Sequence, residues 1–116
     1  MQAEALKELI SNAVADRKGE DVVVLDVRDR TSVADYMIIA SGTSRRHVFS
    51  IAEHVVVSAK SEGNTPPRVE GGNGSDWVLV DLGDVILHVM LPAAREFYDL
   101  ERFWRDAPGL EMAGPE

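Results

Sequence analysis

The stretch GSDWVLVDLGDVILHVM, residues 74–90, holds the side chains best suited to chemistry. Asp81 and Asp84 stand three residues apart, His88 follows four later, and Trp77 lies just upstream. Two carboxylates and an imidazole could bind a divalent cation or share acid–base work. The same residues could instead form a surface that grips another molecule. Trp77 would be its anchor, because tryptophan buries much area at small entropic cost. A third possibility is structural: a helix covers this face, Trp77 joins a second core layer and His88 is hydrogen-bonded there.

A second candidate is ASGTSRRH, residues 40–47, which reads as a strand end, a glycine turn and a helix start. Free backbone N–H groups at such a turn can hold a phosphate. Nucleotidyltransferases pair a Gly-Ser turn of this kind with metal-binding acids on a strand. Here Asp81 and Asp84 flank a turn instead, and neither a P-loop nor a G-x-G-x-x-G fingerprint is present. An ordinary capped helix explains Thr43 and Ser44 as well. Arg45, Arg46 and His47 add a small basic spot, placed by this reading near Arg28 and Arg30. Ser32, Ser44 and His47 give no nucleophile–base pair, and His54 beside Glu53 reads as an exposed helix residue.

These side chains need elements to position them. Leu6, Leu9, Ile10, Ala13 and Val14 repeat at helical spacing and predict a helix over 3–17, stopped at Gly19. VVVLDV, residues 22–27, predicts a strand buried on both faces. YMIIA, residues 36–40, predicts a second strand, antiparallel to the first because eight residues cannot hold a crossover helix. Val48, Ile51, Ala52, Val55, Val56 and Ala59 predict a second helix ending near Gly63-Asn64. A Pro/Gly-rich loop follows, with a short edge strand over 68–70. Strands over 77–82 and 85–90 come next. Pro92 then starts a helix carrying Phe97, Leu100 and Trp104 on one stripe. Arg95, Tyr98, Asp99 and Arg102 form a polar-aromatic stripe beside it, within which Arg95 and Asp99 could pair.

Pairing the last two strands around Leu82-Gly83, or around a four-residue loop from Asp81 to Asp84, sets Val80 against Val85, Leu79 against Ile86, Val78 against Leu87 and Trp77 against His88. One face is then aliphatic: Val78, Val80, Val85, Leu87 and Val89. The other carries Trp77, Leu79, Asp81, Asp84, Ile86 and His88. On it Asp84 and His88 lie about 13 Å apart, too far to share a metal. The order α-β-β-α-β-β-β-α predicts an α+β (α/β) fold, a mixed, roughly five-stranded sheet with packed helices.

The 116 residues suit a single domain over 1–107 with a disordered tail over 108–116. No cysteine is present, which excludes disulfides and thiolate sites. No apolar run approaches the ~20 residues that span a bilayer, and no signal layout is visible, so a cytoplasmic protein is expected. The net charge of −8 is uneven. Residues 1–60 carry eight basic against nine acidic side chains, and residues 61–116 four against eleven. An acidic half disfavours nucleic acid and favours a basic protein partner.

Taken together, ADYMIIASGTSRRHVFSIAEHV, EG, DWVLVDLGDVILHVM and REFYDLERFW resemble the ribosomal silencing factor, or Iojap, family over roughly residues 3–106. The resemblance implies a nucleotidyltransferase-like fold without enzymatic activity or cofactor. It implies binding to the large ribosomal subunit through its protein fourteen, with little direct nucleic-acid contact. The small subunit is then blocked from joining when nutrients run short. Homodimers when free and a link to large-subunit maturation are also implied. By resemblance the partner-binding residues are Trp77, with Glu70, Asp81, His88, Arg95 and Tyr98.

Overall fold

The computed structural model describes residues 1–106. The elements are α1 (Ala3–Asp16), β1 (Glu20–Asp26), β2 (Tyr36–Ser41), α2 (Arg45–Ser61), β3 (Arg68–Glu70), β4 (Trp77–Asp81), β5 (Val85–Met90), α3 (Pro92–Tyr98) and α4 (Leu100–Asp106). The tail expected over 108–116 lies outside the described residues.

The strands form one mixed sheet in the order β1-β2-β5-β4-β3. β1 is antiparallel to β2, as expected, and β4 is antiparallel to both β3 and β5. β2 and β5 are parallel, joined through α2 and the β3–β4 segment. β2 is therefore an interior strand, and all six of its residues are buried.

The expectation that β1 is buried on both faces is wrong. It is an edge strand, with Val22 39% and Val24 42% exposed. A β-branched run reports strand propensity, and nothing in it says how many neighbours the strand will have. An irregularity between Glu20 and Val23, with Asp21 at φ 49°, bends this edge and spoils it as a template for pairing.

Helices α1 and α2 cover one face of the sheet. Leu6, Ile10, Ala13 and Val14 of α1 meet Val48, Ile51, Ala52 and Val55 of α2 over Ile38, Ala40, Val78, Val80, Val85, Leu87 and Val89. Each large aliphatic side chain buried there contributes roughly 1.5–3 kcal/mol. Ser44 caps α2, its Oγ accepting the His47 N–H at 3.1 Å. Both helices end with paired N–H donations back into the last turn. In α2 the left-handed residue is Gly63. In α1 it is Lys18, and Gly19 follows one place later, where a Cβ would strike the Val14 side chain.

The opposite face has a smaller core of Val27, Met37, Ile39, Met90, Ala94 and Trp104, with Leu25, Trp77 and Leu100 against it. Its cover differs from the single helix expected. Asp99 sits in the left-handed region at φ 52°, ψ 48° and splits the segment into two helices of seven residues. Such a residue costs about 1–2 kcal/mol and leaves the hydrophobic spacing unmarked. The break carries α4 toward β1, where the Arg30 guanidinium donates to the Trp104 carbonyl.

Candidate functional site

The half-covered face can be followed row by row. Glu70 pairs with Leu79, Leu79 with His88, and His88 with Ile39. Along that row Ile39 and His88 are buried, Leu79 is partly buried and Glu70 is exposed. In the next row Arg68 pairs with Asp81, Asp81 with Ile86 and Ile86 with Met37. Cover of this face thus fades from β2 toward β3.

The hairpin register is shifted by two residues from the one expected. Trp77 opposes Met90, Val78 opposes Val89, Leu79 opposes His88 and Val80 opposes Leu87. The loop is Gly83-Asp84, closed by the Leu82 N–H donating to the Val85 carbonyl at 3.0 Å. Gly83, at φ 87°, supplies the positive φ that a two-residue loop with glycine first requires. A slip of two keeps each residue on its face, so the aliphatic face stands as expected. Asp84 is the exception: it leaves the sheet face and sits exposed in the turn. Asp81 is partly committed, since its Oδ1 accepts the Gly83 N–H at 2.9 Å.

Trp77 and His88 meet across strands although they do not oppose each other. The indole Nε1–H donates to His88 Nδ1 at 3.0 Å, with ring centroids 5.7 Å apart. His88 is only 5% exposed, and burial pushes its pKa from 6.5 down to about 4. The imidazole is therefore neutral near pH 7, with Nδ1 as acceptor and the proton on Nε2. Trp77 is partly buried. The core-layer expectation holds in part: the ring packs against the smaller core and its N–H edge turns inward to His88, while part of the residue stays accessible.

Tyr98 leans on Trp77 at 4.7 Å between centroids, and Phe97 meets Tyr98 edge-on at 5.0 Å. Tyr98 is 50% and Phe97 80% exposed. The three rings form an aromatic ledge at the open end of the sheet. The helical stripe had placed Phe97 with the core; the break at Asp99 turns it outward. Aspartate tolerates left-handed backbone better than most residues, and that is the only hint of the break among the residues themselves.

Arg95 braces this ledge from behind. Its Nε donates to Glu101 Oε1 at 2.6 Å and its Nη1 to the buried Ser41 Oγ at 2.8 Å. Its side chain is 11% exposed. The expected Arg95–Asp99 pair is not formed; Asp99 pairs with Arg102 at 3.5 Å instead.

The glycine turn is built inward. The Gly42 N–H donates to the Met90 carbonyl, and the Thr43 N–H to His47 Nδ1 at 2.8 Å. His47 Nε2 then reaches the Arg17 carbonyl at 2.7 Å, tying α2 to α1. A Cβ on Gly42 would lie 2.9 Å from the Val48 backbone nitrogen. Gly42→Ala is expected to cost about 1–2 kcal/mol through this overlap, measured as a lowered melting temperature. Asp81 and Asp84 lie at the far end of the sheet, because Tyr36 pairs with Val85 and Ser41 with Met90. Five to six residues of strand separate the two ends by about 20 Å. The same geometry corrects the basic spot: Arg28, bound to Asp26, and Arg30 sit at the opposite end of β2 from Arg45 and Arg46. Among the described residues no three His, Asp or Glu side chains are placed to hold a metal. No described helix is long and apolar enough to cross a membrane.

Fold and site together define a mixed-sheet α+β protein with an aromatic ledge at its open end and a glycine turn separated from its acids. The chain belongs to the ribosomal silencing factor family: the model described as "Ribosomal silencing factor during starvation" matches residues 1–116. A ribosomal silencing factor from Halalkalibacterium halodurans is 40% identical over 114 residues, covering 98% of this chain and 97% of the relative. Mitochondrial assembly of ribosomal large subunit protein 1 from Mus musculus is 31% identical over 100 residues, covering 84% of this chain and 44% of the relative. A crystal structure of a protein from Chromobacterium violaceum, 42% identical, superposes with a TM-score of 0.88 over 90% of this chain and 88% of that one.

Proposed function

We propose that this protein is a non-enzymatic translation repressor of the cytoplasm. It binds the large ribosomal subunit through protein fourteen and, by occupancy alone, keeps the small subunit from joining. The observation that carries this reading is the aromatic ledge, in which exposed Tyr98 and Phe97 extend from the partly buried Trp77, on a chain of the silencing-factor family. Aromatic side chains supply the anchors of most interfaces, and the acidic residues 61–116 suit a basic partner. Glu70 and Asp81 lie on the open part of the same face and complement cationic side chains there. Tyr98 adds direct contact. Arg95 serves through the placement of α3, and His88 through Trp77. In the free protein two copies pair as a homodimer.

A role in maturing the large subunit is favoured by one observation, the name borne by the mouse relative. The same surface would serve it. In a joining assay, purified protein added to separated subunits is expected to shrink the associated peak in a sedimentation profile, in proportion to its occupancy. An unchanged peak at saturating protein would leave maturation as the better account.

A further inference from the structure

We propose that His88 is a positioning residue for partner recognition: by accepting the indole N–H it turns Trp77 so that a partner meets the ring face, and the group that fits this face is a lysine or arginine side chain. The inference rests on docking at the ledge and names the chemistry of that contact.

The indole has a single donor and no acceptor. That donor is spent inward on His88 Nδ1 at 3.0 Å. A carbonyl or carboxylate on a partner therefore finds nothing to bind at Trp77. What the accessible part of this partly buried ring still offers is area and an electron-rich π-system. Tyr98, tilted by 48° at 4.7 Å, fixes the ring from one side. The elements around it present exposed acids: Glu70 on β3, Asp76 before β4 and Glu96 in α3. The nearby cations are mostly engaged, Arg95 inward and Arg102 with Asp99, leaving Arg68 on β3 exposed. A cation over a tryptophan face gains about 0.5–2 kcal/mol, and its methylene stem covers the ring besides. His88 itself is too buried to reach a partner.

The test is a double-mutant cycle measured as affinity for purified large subunits. H88L is expected to weaken binding about ten-fold in the wild-type background and to have no further effect beside W77A. H88N places an amide oxygen where Nδ1 stood, and is expected to recover most of the affinity. The indole N–H resonance of Trp77 should move in H88L and return in H88N, which a merely structural role for His88 would not require. Ring fluorination of tryptophan drains the face, so affinity should fall with each added fluorine. Trp104, 4% exposed, takes the label without reaching a partner.

An H88L effect that persists undiminished beside W77A would mean that His88 touches the partner itself, and would overturn the assignment. So would an H88L variant that binds like wild type. Affinity indifferent to fluorination would overturn the lysine or arginine contact. If the wild-type protein itself fails to bind large subunits, the proposed function falls before any variant is compared, and this inference falls with it.

Discussion

Trp77→Ala will lower affinity for large subunits by about 2 kcal/mol or more, roughly 30-fold, while the protein still folds. The ring is the inner end of the ledge, in contact with both His88 and Tyr98, so truncating it removes the anchor and loosens its neighbour. The variant also leaves His88 Nδ1 without its donor in a buried place, which costs about 1–3 kcal/mol of stability. A domain with the usual 5–15 kcal/mol survives that loss. Circular dichroism should show native secondary structure with a lowered melting temperature. Co-sedimentation with large subunits then reads the binding separately from folding. If Trp77→Ala pellets with subunits as well as wild type does, the ledge is not the docking surface.

Acid will destabilise the protein well before its carboxylates are protonated. His88 titrates near 4 when folded and near 6.5 when unfolded, for one cause, its burial. Between those values the unfolded chain binds more protons, so stability rises with pH across the window. The full stability is present above pH 6.5 and is lost as pH falls toward 4. At 1.36 kcal/mol per pH unit, the loss amounts to about 3 kcal/mol. Urea melts at pH 7 and pH 4.5 should show most of this difference in wild type. H88N lacks the titrating group and should flatten the profile over that range. A wild-type midpoint that is constant between pH 7 and 4.5 would contradict the buried neutral imidazole.

Much of this architecture could be read from the residues. The helix stripes placed α1 and α2, and the Val78, Val80, Val85, Leu87, Val89 set named the aliphatic face of the hairpin. Two-fold alternation cannot distinguish registers two residues apart, because both keep every side chain on its face. The missing discriminator was turn chemistry: Gly-Asp suits a two-residue loop and Leu-Gly does not. The edge position of β1 was invisible because neighbour number is a property of topology. The break at Asp99 was invisible because one left-handed residue leaves the apolar spacing intact. That break hid Phe97, which the stripe had assigned to the core. Of the candidate site, Trp77 and Tyr98 were legible as an aromatic surface. The Trp77–His88 hydrogen bond was not, since it runs diagonally between residues that do not oppose each other.

The parallel pairing of β2 with β5 has a kinetic consequence. Tyr36 finds Val85 only after some fifty residues of intervening chain have closed into a loop. The local β1–β2 and β4–β5 pairs can form early, but neither alone flanks the buried interior strand β2 on both sides. Loop-closure entropy must be met before that pairing stabilises anything, which places β2–β5 docking late and makes it the slow step of folding. During synthesis, Ile38 and Ile39 must wait for Leu87 and His88 to leave the exit tunnel before β2 gains its second neighbour. A protein proposed to act on ribosomes therefore completes its own sheet only once its fifth strand has left the ribosome.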